Sequence, residues 1–124
     1  MKKLLIIDDN ELVVNSLVRH YSKRGYSCQG LTNSERALQL LLEEPFDVVI
    51  TDIHMSPVNG LEIIRHVKAH WPDTFLIGMS AYCDRDYREH ASDLGADFFI
   101  EKPFKLDAID DALKTQFPRK KVIS

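Results

Sequence analysis

The sequence predicts an α/β fold, a doubly wound five-stranded parallel sheet flanked by five helices. Two observations predict it: short β-branched or aliphatic runs alternate with longer stretches of helical period, and most of the short runs are almost continuously apolar. The alternation is typical of βαβ units, and continuous apolar strands are expected where helices cover both faces of a sheet. Right-handed crossovers then favour the strand order 2-1-3-4-5.

Five segments have the composition of strands. Four of them are apolar runs that we expect to be buried, whereas the second mixes polar and apolar residues and is predicted to lie at an edge of the sheet. The predicted strands are residues 4–7, 26–31, 47–51, 75–79 and 97–100.

Five further segments have helical period. Glycine follows the first and fourth, where a left-handed C-cap is expected, and proline comes shortly after the second, third and fifth. The predicted helices are residues 10–24, 34–44, 61–70, 84–94 and 105–116. The residues predicted to face the core are Val13, Leu17 and Tyr21 on the first helix and Ala37, Leu38, Leu41 and Leu42 on the second.

The length of 124 residues suits one compact domain. Residues 1–118 are predicted to form it, and residues 119–124 to be a C-terminal tail or the start of a linker. Sixteen basic and nineteen acidic residues give a net charge of −3, which argues against a broad cationic face for nucleic acid. No apolar run is long enough to span a bilayer or to form a signal-peptide core, so we expect a soluble, cytoplasmic protein.

Polar and charged residues follow four of the predicted strands. Asp8 and Asp9 follow the first, Asp52 the third, Ser80 the fourth, and Lys102 comes shortly after the fifth. In an open parallel sheet, ligands bind beyond the carboxyl ends of the strands. Because the first and third strands are neighbours in the predicted order, we expect the three carboxylates to share one small pocket.

The three carboxylates predict a bound cation. Two unit negative charges about 5 Å apart repel by about 3 kcal/mol at an effective dielectric of about 20. Oxygen-only ligands select a hard divalent cation, of which Mg²⁺ fits best, with Mn²⁺ as a further candidate. The cation, the Lys102 ammonium, the Ser80 hydroxyl and a free carboxylate together form a site suited to phosphoryl transfer, with the carboxylate as nucleophile.

The chain resembles the receiver domain of bacterial two-component response regulators, from residue 4 to about residue 117. The resemblance depends on four motifs, each at its own strand end and with family-like spacing. The motifs are Asp8-Asp9; Asp52 within residues 48–55, followed by Gly60; Ser80-Ala81; and Lys102-Pro103-Phe104.

The resemblance implies that Asp52 accepts a phosphoryl group from a phosphohistidine in a Mg²⁺-dependent reaction. The implied donor is a sensor histidine kinase or a phosphotransfer protein. Asp8, Asp9 and Asp52 are implied to hold the Mg²⁺, with the backbone carbonyl of His54 as a further ligand. Lys102 is implied to pair with the phosphoryl oxygens.

The resemblance also implies a switch that phosphorylation operates. The Ser80 hydroxyl is expected to move and hydrogen-bond the phosphate, and Phe99 occupies the position of the switch aromatic, which turns inward once Ser80 has moved. The peptide bond between Lys102 and Pro103 is expected to be cis, an isomer that is common only before proline.

The implied function is that of a signalling module in a two-component system and not that of an enzyme. The module is implied to assist its own phosphorylation and dephosphorylation. The surface of the fourth helix, fifth strand and fifth helix is implied to change and to control a partner protein or a fused output domain. The charged fourth helix permits a homodimer through this surface. The domain itself is expected to bind neither nucleic acid nor membranes.

The loop after the phosphorylated aspartate departs from the family pattern. The family usually places proline four residues after that aspartate, whereas this chain has Ser56 there and Pro57 next. The loop is therefore expected to follow a different path. His54 and Tyr82 occupy the two family positions that influence the lifetime of the phosphoryl group, and their bulk predicts partial shielding from water.

Several alternative functions are compatible with parts of this sequence. An aspartyl-phosphate hydrolase of the haloacid dehalogenase type carries a second Asp two residues after its nucleophile, where this chain has His54. A nucleotide or flavin binder is disfavoured by the anionic first turn, which has no glycine. The remaining alternatives are a scaffold that is not phosphorylated, aspartates that only cap helices, and a zinc site at His66 and His70, which stand at i and i+4.

Overall fold

The structure, a computed structural model, describes residues 1–81 and 85–123, with side chains described up to residue 114. The prediction made for Tyr82 lies outside the described residues, and so do the side chains of the predicted C-terminal tail.

The chain forms one parallel sheet with five helices, as the sequence predicts. The strands are β1 (Lys3–Ile7), β2 (Ser27–Leu31), β3 (Val48–Asp52), β4 (Phe75–Ser80) and β5 (Phe98–Glu101). The helices are α1 (Glu11–Ser22), α2 (Ser34–Glu43), α3 (Gly60–His70), α4 (Arg85–Leu94) and α5 (Leu106–Ile123). The sheet order is β2-β1-β3-β4-β5, and each neighbouring pair is parallel. The predicted fold class and strand order are confirmed.

The sheet lies between two helical layers. Leu4 and Ile6 of β1 pack with α1 and α5 on one side, while Leu5 and Ile7 pack with α2 and α3 on the other. Because both faces are covered, β3 and β4 are buried along their whole length. β2 is an edge strand and is partly exposed, as its mixed composition predicts.

Asparagine side chains begin three of the helices. Asn10, Asn33 and Asn59 each accept a hydrogen bond of 3.0 Å from a backbone N–H in the first turn of α1, α2 and α3. Asn10, and neither Asp8 nor Asp9, is therefore the residue that caps α1. The alternative in which these two aspartates serve only as helix caps is wrong.

Gly25 and Gly95, which follow α1 and α4, have φ angles of 94° and 119°. These angles lie in the left-handed region that favours glycine, as predicted for helix C-terminal positions.

Val13 packs against the core as predicted, although its neighbour Val14 is more fully buried, because the core stripe on α1 follows steps of three and four residues. Two other details of the predicted helices are wrong. Leu42 is 58% exposed, since it lies about 100° around α2 from its buried neighbour in sequence. α5 runs past Pro118 to Ile123; a proline removes one backbone hydrogen bond and does not always end a helix.

Within residues 1–81 and 85–123, no helix combines the length and apolar character needed to cross a membrane.

Candidate functional site

The three aspartates converge at the carboxyl edge of the sheet. β1 and β3 are neighbours with Ile7 beside Thr51, so the residues that follow emerge side by side. Asp8, Asp9 and Asp52 each bring one carboxylate oxygen to within 4.8 Å of the others. In the part of the chain that the structure describes, this is the only cluster of three or more His, Cys, Asp or Glu side chains placed to share a metal ion.

Lys102 reaches into this cluster from beyond the end of β5. Its Nζ lies 2.5 Å from Oδ2 of Asp8 and 3.6 Å from Oδ2 of Asp52. Its backbone N–H donates to the Ser80 carbonyl oxygen at 2.7 Å, which fixes this segment beside β4. One ammonium therefore faces three carboxylates, and the cluster keeps an excess of negative charge.

Asp8 is held from two sides. It is completely buried, its Oδ1 accepts a hydrogen bond of 2.9 Å from the backbone N–H of Asn10, and its Oδ2 pairs with Lys102. Asp9, by contrast, is exposed. The cluster thus presents one fully constrained carboxylate and one that faces solvent.

The environment of Asp52 raises the pKa of its carboxyl group. Burial and the negative charge of Asp8 raise the pKa of Asp52 from 3.8 to about 6, and the charge of Asp9 acts in the same direction. Lys102 and a hydrogen bond of 3.0 Å from the Ile53 N–H to Oδ1 oppose this rise in pKa. The protein groups alone therefore leave the carboxylate of Asp52 incompletely neutralised.

Gly60 allows the chain after Asp52 to pass close to the strand end. A Cβ atom on Gly60 would lie 2.0 Å from the carbonyl oxygen of Asp52 and 2.8 Å from Cα of Ile53. The Gly60 N–H donates to the Ile53 carbonyl oxygen at 2.8 Å. Only glycine fits this contact between the start of α3 and the end of β3.

Two peptide bonds before proline are cis. The bond between Lys102 and Pro103 is cis, as expected, and the bond between Ser56 and Pro57 is a second cis bond that the sequence analysis did not predict. Residue type alone does not decide between the two isomers of such a bond.

The two predicted switch residues lie on neighbouring strands. Ser80 ends β4 and is completely buried. Phe99 is half-buried in β5, opposite Gly78 in the register of the sheet. The guanidinium of Arg88 on α4 lies 5.5 Å from the centroid of the Phe99 ring.

A further aromatic residue lies beside the loop after β3. The ring of Tyr87 on α4 meets the ring of His54 edge to face, with centroids 4.7 Å apart and an interplanar angle of 82°. Both residues line a cavity of about 430 Å³ together with Asp9. Tyr87 could not be predicted from the sequence, because no spacing relates a residue on the fourth helix to one after the third strand.

His66 and His70 are stacked on α3, with ring centroids 4.0 Å apart. Burial and the neighbouring His70 lower the pKa of His66. Among the described residues, no third side chain joins them in a group placed to share a metal ion. The zinc alternative therefore has no support beyond the spacing.

The aspartate cluster fits Mg²⁺. Its donors are all carboxylate oxygens, the ligand type of hard divalent cations. Two of its members, Asp8 and Asp52, are buried at the strand ends, and burial together with the negative charge of Asp8 raises the pKa of Asp52. A divalent cation at this place would supply the missing positive charge.

Comparison with known proteins identifies the family. Residues 4–114 match the family model described as the response regulator receiver domain. The chain belongs to this family. The match covers nearly all of the described residues. It favours the receiver-domain family over the phosphatase and nucleotide-binding alternatives.

Individual relatives agree with the family match. Sporulation initiation phosphotransferase F of Bacillus subtilis is 32% identical over 119 residues, which are 96% of this chain and 96% of that protein. The chain spans about half the length of other curated response regulators that it matches.

Two similar solved structures of response regulators contain a metal ion, one with a phosphorylated aspartic acid and the other with beryllofluoride. A Burkholderia pseudomallei protein with a phosphorylated aspartic acid and a calcium ion is 30% identical, with a TM-score of 0.85, and the match covers 98% of this chain and 72% of that one. TrrA of Thermotoga maritima, in complex with Mg²⁺ and beryllofluoride, is 30% identical, with a TM-score of 0.81 and coverage of 93% and 98%.

This receiver domain therefore acts in two-component signal transduction, where receiver domains are phosphorylated on an aspartate with Mg²⁺. The carboxylates of Asp8, Asp9 and Asp52 form an acidic cluster of the kind that could hold the Mg²⁺ used by such domains.

Proposed function

We propose that Asp52 accepts the phosphoryl group and that a sensor histidine kinase or a phosphotransfer protein donates it from a phosphohistidine. The observation that carries the proposal is the geometry at the carboxyl edge, where three carboxylates within 4.8 Å of one another face the ammonium of Lys102.

Asp52 is better suited to accept the group than either of its neighbours. Asp8 already has a partner for each oxygen, Asn10 and Lys102. Asp9 is exposed to solvent, which weakens electrostatic stabilisation of a transferring group. Asp52 is largely buried, and its Oδ2 lies 3.6 Å from the Lys102 ammonium, which can stabilise a group transferred to this carboxylate.

The transfer forms one bond and breaks another. An oxygen of Asp52 bonds to phosphorus while the bond from phosphorus to the donor imidazole nitrogen breaks, and the electron pair stays with the imidazole. Lys102 is placed to neutralise charge on the phosphoryl oxygens. Asp8, Asp9, Asp52 and the backbone carbonyl of His54 would hold the Mg²⁺. When bound, Mg²⁺ offsets the negative charge of the carboxylates and the phosphoryl group.

We propose that Ser80 and Phe99 connect phosphorylation to the surface formed by α4, β5 and α5, here called the output surface. Ser80 lies at the same sheet edge as Asp52, and Phe99 lies one strand away beneath Arg88. Phosphorylation would bias an existing equilibrium between two states of this surface. Tyr87 and Phe98 are 37% and 39% exposed there, which supports contact with a partner, an output domain or a second copy of the chain.

The remaining parts of the proposal concern the protein as a whole. Residues 1–118 are proposed to be the receiver domain, followed by a tail or linker, and the domain is proposed to work in the cytoplasm, where kinases make phosphohistidine. The domain is also proposed to assist its own phosphorylation and the hydrolysis of its aspartyl phosphate, because the side chains that would stabilise the transferring phosphoryl group belong to this chain.

Acetyl phosphate tests the central assignment. In the presence of Mg²⁺, intact-mass measurement should show one added phosphoryl group that is labile to base and to hydroxylamine. Asp52→Asn should abolish the added mass. Asp73→Asn, a matched change of an exposed aspartate at the opposite edge of the sheet, should leave it intact. Labelling that survives in Asp52→Asn would remove Asp52 from its role.

A further inference from the structure

The side chain of Asp52 has little access to solvent, since only 8% of it is exposed. A cavity of about 430 Å³ adjoins the aspartate cluster and is lined by Asp9, His54, Ser56 and Tyr87, among others. Because a carboxylate oxygen of Asp9 lies within 4.8 Å of one of Asp52, a small molecule in this cavity is close to Asp52 and in contact with the rings of His54 and Tyr87.

Tyr87 forms the outer layer of this wall. The His54 side chain is half-buried with its Nε2 shielded from solvent, whereas Tyr87 is 37% exposed and lies edge to face against the His54 ring. Pairs of this geometry restrict the orientation of the inner ring. Tyr87 comes from α4 and His54 from the loop after β3, so the contact ties the helix to the site.

We propose that Tyr87 is a positioning residue that holds the His54 ring across the approach to Asp52 and thereby slows both the arrival of small phosphodonors and the hydrolysis of the aspartyl phosphate. The inference rests on the proposed role of Asp52 as the acceptor.

Both reactions pass through the same region of space. In hydrolysis, a water oxygen bonds to phosphorus as the bond to the Asp52 oxygen breaks, the electron pair returns to the carboxylate, and both protons of the water leave with inorganic phosphate. Because phosphoryl transfer is in line, the attacking water stands opposite the Asp52 oxygen. The leaving group of a phosphodonor stands in the same position when Asp52 is the nucleophile. If the His54 ring, which lines the adjoining cavity, is held toward this path, it would impede both reactions.

The expected effect is moderate. Loss of one edge-to-face aromatic contact changes the population of a ring orientation by about two- to tenfold. Tyr87→Ala should therefore speed both rates by about that factor. Tyr87→Phe keeps the ring and should behave like the wild type.

The experiment follows phosphorylation by acetyl phosphate with Mg²⁺, and then the decay of the phosphorylated protein after the donor is removed. Wild type, Tyr87→Ala and Tyr87→Phe are compared with Leu42→Ala, which removes a large apolar side chain, 58% exposed, from α2 and away from the site. Urea unfolding of all four proteins separates a change in stability from a change in rate. A purely structural role for Tyr87 would lower stability without raising the two rates.

Three outcomes have distinct meanings. Faster phosphorylation and faster decay in Tyr87→Ala, restored in Tyr87→Phe, support the inference. Normal labelling of every variant with decay equal to that of the wild type overturns the role of Tyr87 and leaves the role of Asp52 intact. Failure of the wild type to be labelled overturns the proposed function, and the role of Tyr87 with it.

Discussion

Lysine and aspartate side chains lie both where the parallel strands begin, here called the amino edge, and where they end, the carboxyl edge. The charges of these side chains are balanced at the amino edge but not at the carboxyl edge. At the amino edge, Nζ of Lys68 lies 3.1 Å from Oδ2 of Asp97 and 2.8 Å from the carbonyl oxygen of Thr74. The same Asp97 oxygen accepts a hydrogen bond of 2.9 Å from the backbone N–H of Leu76. At the carboxyl edge, the single lysine Lys102 pairs with two carboxylates, those of Asp8 and Asp52, in a cluster of three.

This difference shows what separates a structural ion pair from a functional site. Lys68 and Asp97 satisfy each other and the backbone, so they fasten α3 to the starts of β4 and β5. The aspartate cluster has three carboxylates for one lysine, and its proposed Mg²⁺ would supply the positive charge that the chain does not. An aspartate beside a lysine does not by itself indicate a phosphorylation site, whereas the unbalanced cluster does.

The largest effect is expected from Lys102→Ala. Removal of a positioned charge that stabilises a transition state typically lowers a rate by about 10²–10³-fold, so phosphorylation of Asp52 by acetyl phosphate should slow by about that factor. Lys68→Ala, the matched change at the other edge, should leave the rate unchanged. Time courses of labelling measure both, and a Lys102→Ala rate close to that of the wild type would contradict the proposed role of Lys102.

A second effect is expected at the amino edge. Lys68→Met keeps the apolar stem of the side chain but removes the ammonium that bonds Asp97 and Thr74. The free energy of unfolding should fall by about 2 kcal/mol, because hydrogen bonds to a charged group are lost, while the affinity for Mg²⁺ stays the same. Urea unfolding and a Mg²⁺ titration test this. Weaker Mg²⁺ binding would show that the two edges are not independent.

The smallest effect concerns pH. The pKa of Asp52 in the folded protein is about 6, above its ordinary value of 3.8, so the folded state binds this proton more tightly than the unfolded state does. Its contribution to stability is therefore lost as the pH rises from 3.8 to about 6, and stays lost above that range. At neutral pH and without metal, Asp52→Asn should raise the free energy of unfolding by about 1–2 kcal/mol.

Urea unfolding in the presence of a chelator, repeated across this pH range, measures that contribution. The wild type should lose stability relative to Asp52→Asn as the pH rises. Parallel pH profiles for the two proteins would mean that the carboxylate of Asp52 is not under electrostatic strain.

The carboxyl edge could be predicted from the sequence because strand order and strand direction together decide where strand ends meet. Asp8, Asp9, Asp52 and Lys102 follow apolar runs whose boundaries are clear, and a parallel sheet places such residues at one edge. The prediction that these residues meet depends on the strand order and direction, and small errors in the bounds of each strand do not change it.

Contacts between side chains of different elements could not be predicted in the same way. The pairs Tyr87–His54 and Arg88–Phe99 depend on how α4 is rotated against the sheet. Helical period does not give that rotation for a helix with only one fully buried hydrophobic residue. The exposure of Leu42 was missed for a related reason, since an apolar residue at the margin of a helical stripe can lie on either side of it.

Calorimetric titration with Mg²⁺ tests the central claim most directly. The wild type should bind one ion per chain, Asp9→Asn should bind it much more weakly, and Asp73→Asn at the amino edge should bind it as the wild type does. Equal Mg²⁺ affinity in the wild type and Asp9→Asn, or no binding by the wild type, would contradict the assignment of the carboxyl edge as the metal-dependent phosphorylation site.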